Sequence, residues 1–214
     1  INAYASYVNS IGGNIRLEVG EQDSLTYIAA EKLFMRGDND GARRSLVNYL
    51  QTFPEGAFSS NANFYLGSIA FAKKEFDEAV QRFKSVIASG DTKFLEESVA
   101  RTAEIEYLGN DYPAALESFK RLQIVAENPE NKQAARLGIM RCALQTGQQK
   151  DALLAADELL KEPKLSPELE AEARYVRAKA YIDQKQANKA LADLKELSKD
   201  TRTVHGAEAK YLLT

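Results

Sequence analysis

An all-α fold of stacked antiparallel helical hairpins is what this sequence predicts, and three observations predict it. Ala42, Ala79, Ala115, Ala152 and Ala190 recur 37, 36, 37 and 38 residues apart. Each is followed four residues on by Leu46, Phe83, Phe119, Ala156 or Leu194, and three further on by Tyr49, Val86, Leu122, Leu159 or Leu197. That is the i, i+4, i+7 spacing of one helical face. Twelve residues before each alanine stands a mostly small residue: Ala30, Gly67, Ala103, Met140 or Ala178.

The physics of this pattern is a pair of helices in close approach. Small side chains at the two stations let the helices meet, and the larger residue one turn later fills the wedge between neighbouring hairpins. Composition agrees. Proline is scarce, at 5 residues, while Ala, Leu, Glu and Lys are abundant and favour helix.

The elements follow in chain order. Residues 1–22 fit the repeat least well. Ala3, Tyr7 and Ile11 keep helical spacing, Gly12-Gly13-Asn14 breaks it, and Ile15 to Val19 alternates like a short strand. A helix, a turn and an irregular capping segment are expected there. Five repeats are then expected over 23–59, 60–95, 96–132, 133–170 and 171–203, with the first helix of a truncated sixth at 204–214. First helices are placed near 24–36, 60–73, 95–108, 132–146 and 168–184. Their partners are placed near 40–53, 77–89, 113–126, 150–161 and 187–199. Short polar breaks separate the two: Gly37 to Asp40, Lys74 to Asp77, Asn110 to Pro113, Thr146 to Gln149 and Gln184 to Ala187. Between repeats, Phe53-Pro54-Glu55-Gly56 stops a helix and Ser59 is expected to cap the next. Asn128-Pro129 does the same one repeat further on. Ser166-Pro167 reads as a cap followed by proline at the first helical position.

The run Tyr65-Leu66-Gly67 with Phe76, Ala79 and Phe83 resembles the tetratricopeptide repeat signature. So does Ala42 followed by Leu46 and Pro54. The resemblance covers residues 23–214 and implies a right-handed superhelical solenoid that binds proteins. The sequence departs from the family in three ways. Its period is 36–38 instead of 34, the repeat-starting tryptophan is absent, and the terminal proline survives clearly only at Pro54. The extra length implies longer helices or longer connections. Long-period repeats of this kind are similar to those of bacterial cell-envelope assembly proteins, which points to the periplasm or envelope before the cytoplasm.

Chemistry of other kinds is not encoded. A net charge of −3 gives no general reason to expect a nucleic-acid partner, and the isolated pairs Lys73-Lys74 and Arg43-Arg44 are too small for a footprint. No apolar run approaches the roughly 20 residues that span a bilayer, so no direct membrane insertion is expected. The single cysteine, Cys142, reads as a packing residue, and the single histidine, His205, as a loop or cap residue. No phosphate loop, no metal-ligand spacing and no cofactor site is present in the pattern. An enzyme is not expected.

The family resemblance implies that first helices line a groove in which a protein or peptide partner lies. The partner-binding residues read from the repeat register are Tyr27, Glu31, Phe34, Phe64, Phe71, Glu104, Tyr107, Arg141, Tyr175 and Lys179. Rings cluster towards the early repeats, and the middle position passes from acidic (Glu31, Glu104) to basic (Arg141, Lys179). The same positions can pack between adjacent first helices, and the sequence leaves both readings standing. The carboxylate clamp of chaperone-binding relatives is not supported, because Tyr27, Glu31, Phe64 and Ser68 occupy its positions. A structural spacer or self-association arm is the alternative. The chain is expected to be a piece of a longer polypeptide, with a homodimer formed through the C-terminal edge at Tyr211, Leu212 and Leu213.

Overall fold

The computed structural model describes residues 19–90 and 93–214. Among these the chain forms eleven α-helices and no strand. They are α1 (Val19–Met35), α2 (Asn39–Thr52), α3 (Ser59–Ala72), α4 (Phe76–Ala88), α5 (Leu95–Leu108), α6 (Tyr112–Val125), α7 (Pro129–Gln145), α8 (Gln149–Leu159), α9 (Pro167–Asp183), α10 (Ala187–Leu197) and α11 (Val204–Leu212). Odd-numbered helices are the first of each hairpin and even-numbered ones the second. The fold is the expected all-α hairpin array. It divides into two compact units, one ending at Ser98 and one beginning at Val99, inside α5.

The capping segment expected over 1–22 lies outside the described residues as far as residue 18. From Val19 the chain is helical, so Val19 opens α1 instead of closing a strand-like run. Glu21 in the first turn complements the positive end of that helix.

The repeat stations do what their sizes require. Ala42, Ala79, Ala115 and Ala190 are fully buried, as are Ala30, Ala103, Met140 and Ala178 opposite them. Size is exchanged across the pair. Where the second helix brings Phe83, the first helix has Gly67, and a Cβ there would lie 2.8 Å from the Phe83 ring. Where the second helix brings only Ala156, the station holds Met140, and both are fully buried. The one large station residue thus stands in the repeat whose second helix carries the smallest side chain at the facing position.

Each hairpin turns on one residue in the left-handed region. Gly37, Lys74, Asn110, Gly147 and Lys185 have φ of 80°, 60°, 61°, 73° and 60°. The flanking amides close the same pair of bonds every time. In the first, Asp38 N donates to Leu33 O (3.0 Å) and Gly37 N to Phe34 O (2.9 Å); in the last, Gln186 N donates to Tyr181 O and Lys185 N to Ile182 O. This is the Schellman termination, which satisfies carbonyls that a helix end leaves open. A side chain in that conformation costs about 1–2 kcal/mol, partly offset by the extra unfolded-state freedom of glycine. Lys74→Gly is thus expected to raise stability by up to about 1 kcal/mol, read as an upward shift in the melting midpoint.

The hairpin turns are uniform, so the long period resides outside them, in the connections at 53–58, 89–94, 160–166 and 198–203 and, where the connection is only 126–128, in the 17-residue α7. Caps enter at the connections. Asn128 accepts from Glu130 N, Ser166 from Leu169 N and Thr203 from Gly206 N, and Pro129 and Pro167 sit in the first turns of their helices. Ser59 departs from expectation. Phe58 is the capping residue of α3, and Ser59 Oγ instead donates to Phe53 O (3.1 Å) and Pro54 O (3.0 Å). The open carbonyls at the end of α2 claim the hydroxyl first.

Asp23 ties the first hairpin to its connection. Tyr49 Oη donates to Asp23 Oδ1 (2.5 Å), Ala57 N donates to Asp23 Oδ2 (2.9 Å), and Phe58 N donates to Tyr49 Oη (3.0 Å). Gly56 is required beside them, since a Cβ would stand 2.5 Å from Tyr49 Oη. Burial, followed by the bond to Asp23, pushes the Tyr49 hydroxyl up to about 12 from its usual 10.0. The folded chain therefore holds this proton more tightly than the unfolded chain. The stability it contributes is complete below about pH 10 and is lost as pH rises towards 12. Melting followed from pH 9 to 12 is expected to fall over that window, and to fall less in Tyr49→Phe. That variant starts about 1–3 kcal/mol less stable, because the Asp23 carboxylate and the Phe58 amide lose their partner.

Candidate functional site

In the unit ending at Ser98, the candidate residues are turned on one another. Tyr27 is 2 % exposed. Its hydroxyl donates to Glu31 Oε1 (2.6 Å) and accepts from Asn61 Nδ2 (3.2 Å), while Tyr65 Oη donates to the same Glu31 oxygen (3.0 Å). Burial, reinforced by Glu31, raises the Tyr27 hydroxyl far above its ordinary value. Phe58 from the inter-hairpin connection stacks flat on the Tyr27 ring, with centroids 4.4 Å apart and planes 2° from parallel. Phe94 covers Phe64 in the same way at 4.0 Å and 10°. Phe34 leans on Tyr65 (4.6 Å), and Phe71 meets Phe76 (6.0 Å). Tyr27 is accordingly an interior residue, where the sequence-based expectation put it at a partner-facing position. Glu31, Phe34, Phe64 and Phe71 are half-buried.

The unit beginning at Val99 differs. Glu104 is exposed and accepts from Arg101 (3.2 Å). Arg141 on α7 grips Glu172 on α9 with two parallel bonds, Nε to Oε1 and Nη2 to Oε2, both 2.7 Å. Glu172, and to a smaller extent Tyr107 on α5, strengthens the guanidinium's hold on its proton. The expected basic end of the face is thus partly cancelled, because Arg141 spends its charge inside the protein. Tyr175 on α9 stacks on His205 of α11 (4.9 Å, 28°), and burial together with Glu208 pushes its hydroxyl up to about 12. Tyr107 stands edge-on to Tyr112 (5.7 Å) and Phe119 (6.3 Å). Lys179 is exposed.

One apolar row remains at this surface. Tyr107, Leu144 and Ile182 occupy one register position on α5, α7 and α9, and all three are half-buried. Beside them runs the charged row Glu104, Arg141 and Lys179. The partner-binding residues read from the sequence include Tyr107 but neither Leu144 nor Ile182. They also omit Phe58 and Phe94, the connection rings that cover the early positions, because their loops break the repeat register.

His205 lies in the first turn of α11 and not in a loop. Burial pushes the Cys142 thiol up to about 11, which keeps it a packing group. Tyr211 and Leu212, on the expected edge, are 79 % and 41 % exposed, whereas Leu213 packs against the C-terminal core cluster. Among the described residues no group of three or more His, Cys, Asp or Glu side chains is arranged to hold a metal ion. No described helix is long and apolar enough to cross a membrane.

Hairpins repeated at near-constant register, each closed by the same turn, define an α-helical repeat protein. The model of the tetratricopeptide repeat family matches residues 29–92. The structure is similar to that of YrrB, a TPR protein described as having an unusual peptide-binding site, with a TM-score of 0.62 and 19 % identity over 86 % of this chain and 90 % of that one. It is also similar to MamA, at 0.57 and 16 % over 86 % and 94 % of the two chains. A tetratricopeptide repeat protein from Parabacteroides merdae gives 0.59 and 16 % over 89 % and 73 %. At these identities the likeness concerns the fold. No curated protein matches the sequence.

Proposed function

We propose that this chain is a protein–protein interaction scaffold and that a partner segment lies across the first helices of its second unit, α5, α7 and α9. The contrast between the units carries the reading. In the first, the face positions are filled by rings and tyrosine hydroxyls that bond one another. In the second, Tyr107, Leu144 and Ile182 form a half-buried apolar row beside a charged one. Apolar anchors flanked by charge suit an extended or helical segment, the apolar side chains supplying affinity and the charges direction. The peptide-binding site described for YrrB supports the reading by fold analogy.

The test is a random peptide library displayed on phage and panned on the chain. Selected peptides should lose at least about tenfold in affinity, roughly 1.4 kcal/mol, on the Leu144→Gln, Ile182→Gln double variant, with helicity retained. Binders indifferent to that variant would overturn the assignment of the face. Phe64 is a poor probe for this purpose: with Phe94 stacked on it and Tyr65 and Phe83 against its edges, its replacement reports folding.

A further inference from the structure

Among the described residues, one charge on the face has no counterpart. The register position that holds Glu31, Ser68, Glu104, Arg141 and Lys179 runs along the first helices, and four of the five are engaged locally. Glu31 accepts from two tyrosines, Ser68 Oγ donates to Phe64 O (2.9 Å), Glu104 accepts from Arg101, and Arg141 is held by Glu172. Lys179 is exposed, and no hydrogen bond or ion pair joins it to any described residue. The carboxylates around it are committed elsewhere. Asp183, one turn along α9 and the natural i+4 partner, accepts from Gln149 Nε2 (3.0 Å). Glu172 is taken by Arg141, and Glu208 by Tyr175. Lys179 is therefore a cation beside a half-buried apolar patch, Leu144 and Ile182, with no bond to the carboxylates near it, each of which accepts from another donor.

We infer that the segment bound by the second unit carries an acidic side chain that pairs with Lys179, next to an aliphatic or aromatic side chain seated on Leu144 and Ile182. This rests on the proposed face and adds the chemistry of its occupant. Lys179 and Ile182 are three residues apart on one helix, about 5–6 Å between Cβ atoms. The acidic and apolar residues of the partner then stand two apart if it is extended and three or four apart if it is helical. An exposed lysine adds little affinity by itself, but it selects among partners: a basic residue in the same place is repelled. The ion pair also makes capture weaken as salt rises.

The experiment pans the same phage-displayed library on the 214-residue chain and on its Lys179→Glu variant, whose fold is checked by its melting curve. The unaltered chain should enrich peptides with Asp or Glu at fixed spacing from Leu, Ile, Met or Phe. The variant should enrich Lys or Arg at that same place, and peptides selected on the unaltered chain should bind it at least about tenfold more weakly. Absence of an acidic preference, the same preference on both proteins, or no enriched peptide would each overturn the inference. Peptides that ignore Lys179→Glu but are lost on the Leu144→Gln, Ile182→Gln variant would sink this inference and leave the face standing. Peptides indifferent to both variants would sink both.

Discussion

Replacing Asp193 with alanine is expected to lower the stability of the second unit by about 3–5 kcal/mol, the largest single loss we foresee for a side chain outside the apolar core. Asp193 lies on α10 with its side chain 3 % exposed. Arg177 of α9 clasps it with Nε to Oδ2 and Nη2 to Oδ1, both 2.7 Å, and Arg174 adds Nη1 to Oδ1 at 3.1 Å. Arg177 reaches on to Asp157 of α8 (2.8 Å), and Arg174 reaches back to Glu170 (2.7 Å), so one carboxylate is the hub for three helices. Its removal takes the buried carboxylate from two guanidinium groups and leaves Arg177 with Asp157 alone and Arg174 with Glu170 alone. They are 23 % and 28 % exposed, so water relieves part of the penalty and the loss should fall at the lower end of the range. Asp193→Asn keeps the shape and two acceptor lone pairs and should lose less than alanine. An exposed pair such as Glu196 with Lys199 is the control, and its loss should leave the melting midpoint in place. Chemical denaturation of the three variants decides it. Equal midpoints for Asp193→Ala and the control would show that the hub is ornamental.

Asp193 also marks where the sequence is legible and where it is not. The hairpin stations are readable because alanine at a recurrent position has one strong physical reason, close approach of two helices, and that reason acts locally. All five station alanines are buried. Helix ends are readable for the same reason, since Asn128, Ser166 and Pro167 act within their own turn. Asp193 is three residues after Ala190 and one before Leu194, inside the buried stripe of α10. A carboxylate there is a visible anomaly that only a partner elsewhere can resolve. Its partners lie 16 and 19 residues upstream on another helix. The face is legible as a set of register positions, but its division into engaged and available groups is not. Whether Tyr27 faces a ligand or the interior depends on Phe58, Asn61 and Tyr65, none of which shares its helix. Arg141 reads as a free cation until Glu172, 31 residues on, closes on it.

Gly138 gives the sharpest case of a constraint hidden by the repeat. It sits in the middle of α7, where glycine costs about 1 kcal/mol against alanine, so something must require it. A Cβ at Gly138 would lie 2.4 Å from both Cγ and Cδ2 of Phe119. Cγ is anchored next to the backbone of α6, so the ring cannot swing aside as a chain tip would. At Gly67 the nearest atoms are the outer ring carbons of Phe83, 2.8–3.1 Å away, which give more easily. Overpacking of a filled core costs about 1–3 kcal/mol and should exceed the propensity gained. Gly138→Ala is therefore expected to be destabilising by about 1–2 kcal/mol net, a fall of roughly 2–8 °C in the midpoint for a chain of this size. Gly138→Val should cost more. Gly20→Ala, where nothing lies within 4 Å, should cost nothing and gain the helix propensity. The decisive measurement is a double-mutant cycle with Phe119→Leu. If the ring is the obstacle, Gly138→Ala becomes neutral or stabilising once Phe119→Leu has been made, with a coupling of about 0.5–3 kcal/mol. Additive effects would place the constraint elsewhere, and the close approach of α6 and α7 would not depend on that glycine.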